Sequence, residues 1–300
     1  MSNGLILQGG GSFGAFQCGV ILGMSEYMKT NPFSIYTGIS VGAINAAMLA
    51  NSHANFRKSA LQIKSNWLNM KVSDVYDLGK YGMVSSLRNL LTSNSNLDSL
   101  FDSKPLHHFL ASKINLDVIN SSRNPSILNI HAFNYDKNQN QVFTNQKNQE
   151  SSSSIYVRYG IEHIIASASL PYIFPSVNIG NNRYGDGGLK LHYPSSLMIK
   201  QGVKKIVGIT LKDPNSKPST IGGNLLDCVF PDALPQDFKN INKRNKHASK
   251  LFPFISKTKH IDTLLIKPNL ESMVITDKMI DNLPKTLRLT CSYLGLLDDA

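Results

Sequence analysis

Three short stretches of this chain hold residue types that could do chemistry together. The first, Gly38-Ile39-Ser40-Val41-Gly42, reads G-x-S-x-G. Between a strand and a helix this spacing makes a tight turn: small residues two before and two after the serine let the backbone fold back, and the hydroxyl is left exposed. Ser40 Oγ would then stand at a helix N-terminus, where the dipole favours an alkoxide. A plain strand–helix turn with a serine N-cap would leave the same pattern. The second stretch is QGGGSFG, from Gln8 to Gly14. Gly9, Gly11 and Gly14 satisfy G-x-G-x-x-G, the dinucleotide-binding fingerprint. That fingerprint also needs an acidic residue about 20 positions on, at the end of the second strand, for the ribose hydroxyl. Here the second strand ends Ser34-Ile35-Tyr36-Thr37-Gly38, without Asp or Glu. The third stretch is Asp186-Gly187-Gly188, after the strand-like Asn178–Tyr184. It supplies a carboxylate that could serve as a base, or else an ordinary Asp-Gly turn.

The first two stretches explain each other if the elements around them form a parallel sheet. Leu5 to Gln8 reads as a buried strand, Ala15 to Met28 as a helix, Ser34 to Gly38 as a second strand and Val41 to Leu49 as a second helix. This strand–helix–strand–helix order predicts an α/β fold with a mostly parallel central sheet. Ile127–Phe133, Lys204–Thr210 and Asp262–Pro268 read as further strands. Phe56–Leu68, Lys104–Ser112, Glu162–Ser169 and Tyr193–Gln201 read as further helices. In such a sheet both loops lie at the C-terminal ends of neighbouring strands, where ligands bind. Amides of Gly9, Gly10 and Gly11 could there donate to an oxyanion formed beside Ser40. The polar run Asn134–Ser154 reads as a hairpin with an exposed connection, and Lys212–Asn224 as a loop. No internal repeat or sharp domain boundary is visible, so residues 1–300 are expected to form one domain.

Composition narrows the partners. The chain carries 31 Lys and Arg against 20 Asp and Glu, a formal net charge of +11. That balance favours anionic partners: a membrane surface, a nucleic acid or an acidic substrate. No run of 18 apolar residues predicts a membrane-spanning helix, and a conventional secretory signal is not expected. Cytoplasmic or peripheral-membrane placement is expected, with signal-independent export open. The isolated Cys18, Cys228 and Cys291 form no CxxC pair, hence no zinc site or disulfide framework, and fit a reducing compartment. Between Asp237 and His260 seven Lys and Arg residues surround Leu251, Phe252, Phe254 and Ile255. The segment is either a solvated basic face or an interfacial element, with basic residues on anionic headgroups and the apolar cluster dipping in.

Taken together, QGGGSFG, GISVG, the segment ASASLPYIFPSV (Ala166–Val177) and the DGG turn resemble the patatin-like phospholipase family over most of the chain. The resemblance implies a three-layer α/β/α sandwich and a serine acyl hydrolase of phospholipids or lysophospholipids, working without metal or cofactor. It implies Ser40 as nucleophile, Asp186 as its activating partner without a histidine, Gly9, Gly10 and Gly11 around the oxyanion hole, and Gly38 and Gly42 shaping the elbow. Three positions depart from the family pattern. Gln8 stands where many members carry Asp, Phe13 where many carry Lys or Arg, and His192 where many carry Asn. The expected partner is a membrane or micellar lipid, with an anionic surface and no nucleic acid. The competing readings are a non-catalytic lipid-binding protein on the same fold, a nucleotide-binding oxidoreductase, and a nucleic-acid binder resting on charge alone.

Overall fold

The computed structural model describes residues 3–27, 30–51, 55–77, 99, 101–147, 153–171, 173–189, 194–211 and 262–266. Its centre is a sheet begun by β1 (Asn3–Leu7), β2 (Ile35–Ile39) and β3 (Ile127–Asn134). These strands are apolar runs rather than alternating ones, and all five residues of β2 are buried. That is the signature of strands covered on both faces. β1 pairs parallel with β2, and β2 parallel with β3. On the other side of β1 lie β8 (Lys205–Ile209) and then β9 (Asp262–Ile266), both parallel.

The sheet turns antiparallel only beyond β3. β4 (Gln139–Thr144) folds back on β3 through a turn in which Asn138 has φ 50°. Asn is one of the few side chains that accept this conformation readily. β5 (Ser154–Tyr156) closes that edge parallel to β4. The expected hairpin in the polar run is therefore β3–β4, with β3 as its first strand. β6 (Val177–Ile179) and β7 (Asn182–Asp186) form a second hairpin, and β7 returns antiparallel onto the end of β3.

One face of the sheet carries α1 (Gly14–Tyr27), α2 (Val41–Ala50), α3 (Phe56–Asn69) and α6 (Ile161–Ala168), with α4 (Lys104–Lys113) and α5 (Leu116–Ile119) around them. All ten residues of α2 are buried, because it lies between the sheet and the outer helices. α3 shows the outer pattern: Phe56, Ser59, Ala60, Ile63, Asn66 and Trp67 are buried at helical spacing. Asn55 caps it, its side chain accepting from the Lys58 amide at 2.9 Å. On the opposite face α7 (Ser195–Lys200) packs Met198 against Ile6, Ile35 and Ile206. Of the helix expected over Tyr193–Gln201, the described residues show Ser195–Lys200. The result is the expected three-layer arrangement of a mostly parallel sheet between helices. The expected loop Lys212–Asn224, the basic segment 237–260 and His192 lie outside the described residues.

Register places the loops. Leu7 is level with Gly38, Ile39 with His131, and Ala132 with Asp186. The chain therefore leaves β1, β2 and β7 at one end of the sheet, side by side.

Candidate active site

Ser40 joins β2 to α2 with φ 55° and ψ −127°. A side-chain-bearing residue held at such angles stores about 1–3 kcal/mol of strain. The neighbouring glycines explain how the turn closes. A Cβ on Gly38 would strike the carbonyl of Gly42, and a Cβ on Gly42 would strike the carbonyl of Leu7. Ser40 occupies the N-cap position of α2, yet its side chain makes no capping hydrogen bond. The hydroxyl instead lies within electrostatic reach of the Asp186 carboxyl, whose ionised form it favours. The serine-cap alternative therefore lacks the hydrogen bond that defines it.

Asp186 ends β7 and is 4% exposed. Its Oδ1 accepts the Gly188 amide at 2.7 Å, which closes the turn the Asp-Gly-Gly sequence predicts. Burial pushes the carboxyl up to about 6, against the opposing pull of the Ser40 hydroxyl and the Gly188 amide. Between pH 6 and 8 this group moves from half to almost fully ionised, the range in which a carboxylate is a useful base.

The glycine loop closes the other side. Gly9 lies so near the elbow that a Cβ there would sit 2.9 Å from Ser40 Cβ. Gly11 has φ +58°, with open space around it, and starts a short 3₁₀ turn (Gly11–Phe13) in which the Phe13 amide bonds the Gly10 carbonyl at 3.2 Å. The loop is tied at both ends by buried amide side chains. Gln17 donates to the Gln8 carbonyl at 2.7 Å, and Asn45 donates to the Gly14 carbonyl at 3.0 Å. Asn45 also bonds the Gln17 oxygen at 3.0 Å and accepts the Trp67 indole N–H at 2.9 Å. Gln8, where the family pattern has an acid, accepts the Leu211 amide at 2.8 Å. That contact needs only an acceptor, which the amide supplies without a charge.

The sequence reading quoted the segment from Ala166 for its resemblance but assigned it no task. Here Ser167 Oγ accepts the Ser40 amide at 2.9 Å and donates to the His131 carbonyl at 2.6 Å. Two residues on, the Ser169 carbonyl accepts the Asp186 amide at 2.9 Å. Gln17, Asn45 and Trp67 were likewise missed. A polar residue on an otherwise apolar helix face, as Asn45 is on α2, is the signal that could have found them.

Among the described residues, the Asp186 carboxyl accepts the Gly188 amide and feels the pull of the Ser40 hydroxyl. His163 receives the Gly160 amide on Nδ1 at 3.0 Å, and His107 and His108 lie on α4. His131, on β3 beside Ile39, is buried with neither ring nitrogen hydrogen-bonded, and burial pushes it down to about 3. It is a neutral imidazole at ordinary pH.

A family model described as patatin-like phospholipase matches residues 5–197, which include all three stretches. The chain is 25% identical over 287 residues to a protein named "Probable lipid hydrolase 463L" of Invertebrate iridescent virus 6, covering 91% of this chain and 85% of that one. Among solved structures, VipD from Legionella pneumophila matches at 12% identity with a TM-score of 0.43, over 99% of this chain and 67% of that one. The ExoU–SpcU complex from the type III secretion system of Pseudomonas aeruginosa matches at 16% identity with a TM-score of 0.30. It covers 99% of this chain but only 58% of its match.

Proposed function

Because this chain belongs to the patatin-like phospholipase family and is by that membership a lipid acyl hydrolase, we propose that it cleaves phospholipid or lysophospholipid esters with Ser40 as nucleophile and Asp186 as its base. One observation carries this reading: Ser40, at a strained φ and free of any capping bond, stands within electrostatic reach of a buried carboxyl. An ordinary Asp, near 3.9, is a weak base towards an alcohol. At about 6, Asp186 is a stronger one and is still mostly ionised at pH 7.

As Ser40 Oγ attacks the ester carbonyl, its proton passes to Asp186. The carbonyl oxygen becomes an oxyanion, and amides of the Gly9–Gly11 loop donate to it; the packing of Gly9 beside Ser40, so close that an added Cβ would sit 2.9 Å from Ser40 Cβ, supports that placement. Collapse of the tetrahedral species breaks the ester C–O bond, and Asp186 returns its proton to the departing alcohol or lysolipid oxygen. Water then attacks the acyl-enzyme, giving its proton to Asp186, and Ser40 leaves with that proton restored. The net charge of +11 supports work at an anionic lipid surface, so turnover on vesicles should rise with anionic lipid and fall as salt shortens the screening length below about 8 Å.

A fluorophosphonate probe followed by peptide mass spectrometry tests the nucleophile, and product analysis on a phospholipid and lysophospholipid panel tests the substrate class. The expected result is one adduct, on Ser40, with fatty acid released. Folded Ser40→Ala with wild-type turnover, or an adduct on another serine, would overturn the reading.

A further inference from the structure

We infer that Ser167 is a positioning residue for the nucleophile: its hydroxyl, braced on the His131 carbonyl, holds the Ser40 amide and with it the direction of Ser40 Oγ. The inference rests on the reading of Ser40 as nucleophile. Ser167 lies in the last turn of α6 and is fully buried. Its two contacts leave the hydroxyl no freedom. A carbonyl only accepts and an amide N–H only donates, so the Ser167 proton points to His131 and a lone pair points to Ser40.

The Ser40 amide is the group whose direction needs holding. At φ 55° Ser40 sits in a region that side-chain-bearing residues visit only when their surroundings force them to. Beyond Ser40 the backbone is fixed by α2, whose first turn bonds the Ser40 carbonyl from Ala43 and Ile44. Before Ser40, the remaining degree of freedom is rotation of the Ile39–Ser40 peptide, which turns the N–H and swings the side chain. Ser167 closes that freedom from a position 127 residues away in sequence. The same helix end sets the partner, since the Ser169 carbonyl bonds the Asp186 amide at 2.9 Å. Nucleophile and carboxylate are therefore both referenced to residues 167–169, and their mutual distance follows from one rigid piece of chain.

Ser167→Ala removes both bonds and creates no overpacking. It should lower kcat about 10- to 100-fold, the effect of a displacement near 1 Å at a reacting group, with KM within about threefold. Fluorophosphonate labelling should slow in parallel. The pH midpoint of kcat/KM should stay in place, because Ser167 does not touch the carboxyl. Ser167→Thr, which keeps the hydroxyl, should recover most of the rate, and hydrogen exchange at the Ser40 amide should quicken in Ser167→Ala alone. Ser25→Ala is the matched control, a buried serine on α1 whose hydroxyl bonds the Leu22 carbonyl; its kcat should not change. Folded Ser167→Ala with kcat within threefold of wild type, or a loss that Ser25→Ala reproduces, would overturn the inference. Should Ser167→Ala not fold, Ser167→Cys is read by the same criterion. If wild type itself neither hydrolyses ester nor labels at Ser40, the nucleophile reading has failed and this inference falls with it. An active wild type beside a fully active Ser167→Ala removes this inference alone.

Discussion

The glycine loop and the Ser40 turn face each other across the candidate site, and they are held by opposite means. Around the loop, the buried amides of Gln17 and Asn45 have every nitrogen and oxygen engaged, on Gln8, Gly14, Trp67 and each other. Around the elbow, Ser40 sits at a positive φ, Asp186 keeps a carboxyl in a place that resists its charge, and the His131 ring is buried with neither nitrogen hydrogen-bonded. One side is relaxed and satisfied; the other stores strain and unfavourable burial. Strain of this kind gathers where it serves reactivity, and a satisfied polar network supplies rigidity in return. An oxyanion site must stand ready before charge develops, whereas a nucleophile and its base are useful because their ground state is uncomfortable.

The largest expected effect strikes the strained side. Asp186→Asn should cut turnover on a soluble ester by on the order of 10³–10⁴, since the amide cannot accept the serine proton. The same variant should be more stable than wild type at pH 7. The native carboxyl at about 6, against an ordinary value of 3.8, contributes stability that is full below the ordinary value and lost as pH rises through 6. Neutralising it should return up to about 3 kcal/mol at roughly 1.36 kcal/mol per pKa unit. Urea unfolding at pH 7 measures this, and a less stable Asp186→Asn would break the comparison. If a single-histidine variant such as His192→Asn lost as much activity, the base would be that histidine.

The relaxed side comes next. Gly11→Val should lower turnover about 10²–10³-fold, the usual loss for one oxyanion donor, with KM changed less. Gly11 has open space around it, so only its φ of +58° is at stake. Asn accepts that conformation, and Gly11→Asn should keep most of the activity. Equal losses in the two variants would show that the loop responds to bulk rather than to backbone direction.

The pH profile separates the two sides without a mutation. kcat/KM should fall tenfold per unit below about pH 6, as one proton neutralises Asp186. A profile flat to pH 5 would remove the carboxylate as base.

The smallest activity change belongs to the network behind the loop. Trp67→Phe leaves Asn45 Oδ1 without its indole partner, which should lower stability by about 1–3 kcal/mol while kcat changes less than tenfold. A hundredfold loss of kcat at unchanged stability would mean that the network shapes the chemistry rather than supporting it.

The residues proposed to react were legible in sequence because their signals are local. A tight strand–helix turn requires small residues at fixed offsets, so Gly38, Ser40 and Gly42 announce the elbow; Gly9 and Gly11 announce a backbone that must approach closely; apolar runs announce a doubly covered sheet. The order of the three stretches then pointed to one family. The supports were not legible. Ser167 reads as one serine among several in ASASLP, and Asn45 as a lone polar residue on an apolar helix. Each acquires its task from a partner tens of residues away, which only the strand order supplies. The raised carboxyl of Asp186 has the same origin. Short-range stereochemistry, written in neighbouring residues, determined which groups could react. Burial and the pairing of β7 on β3, which close only when the whole sheet assembles, decided how strongly they are held and at what pH they act.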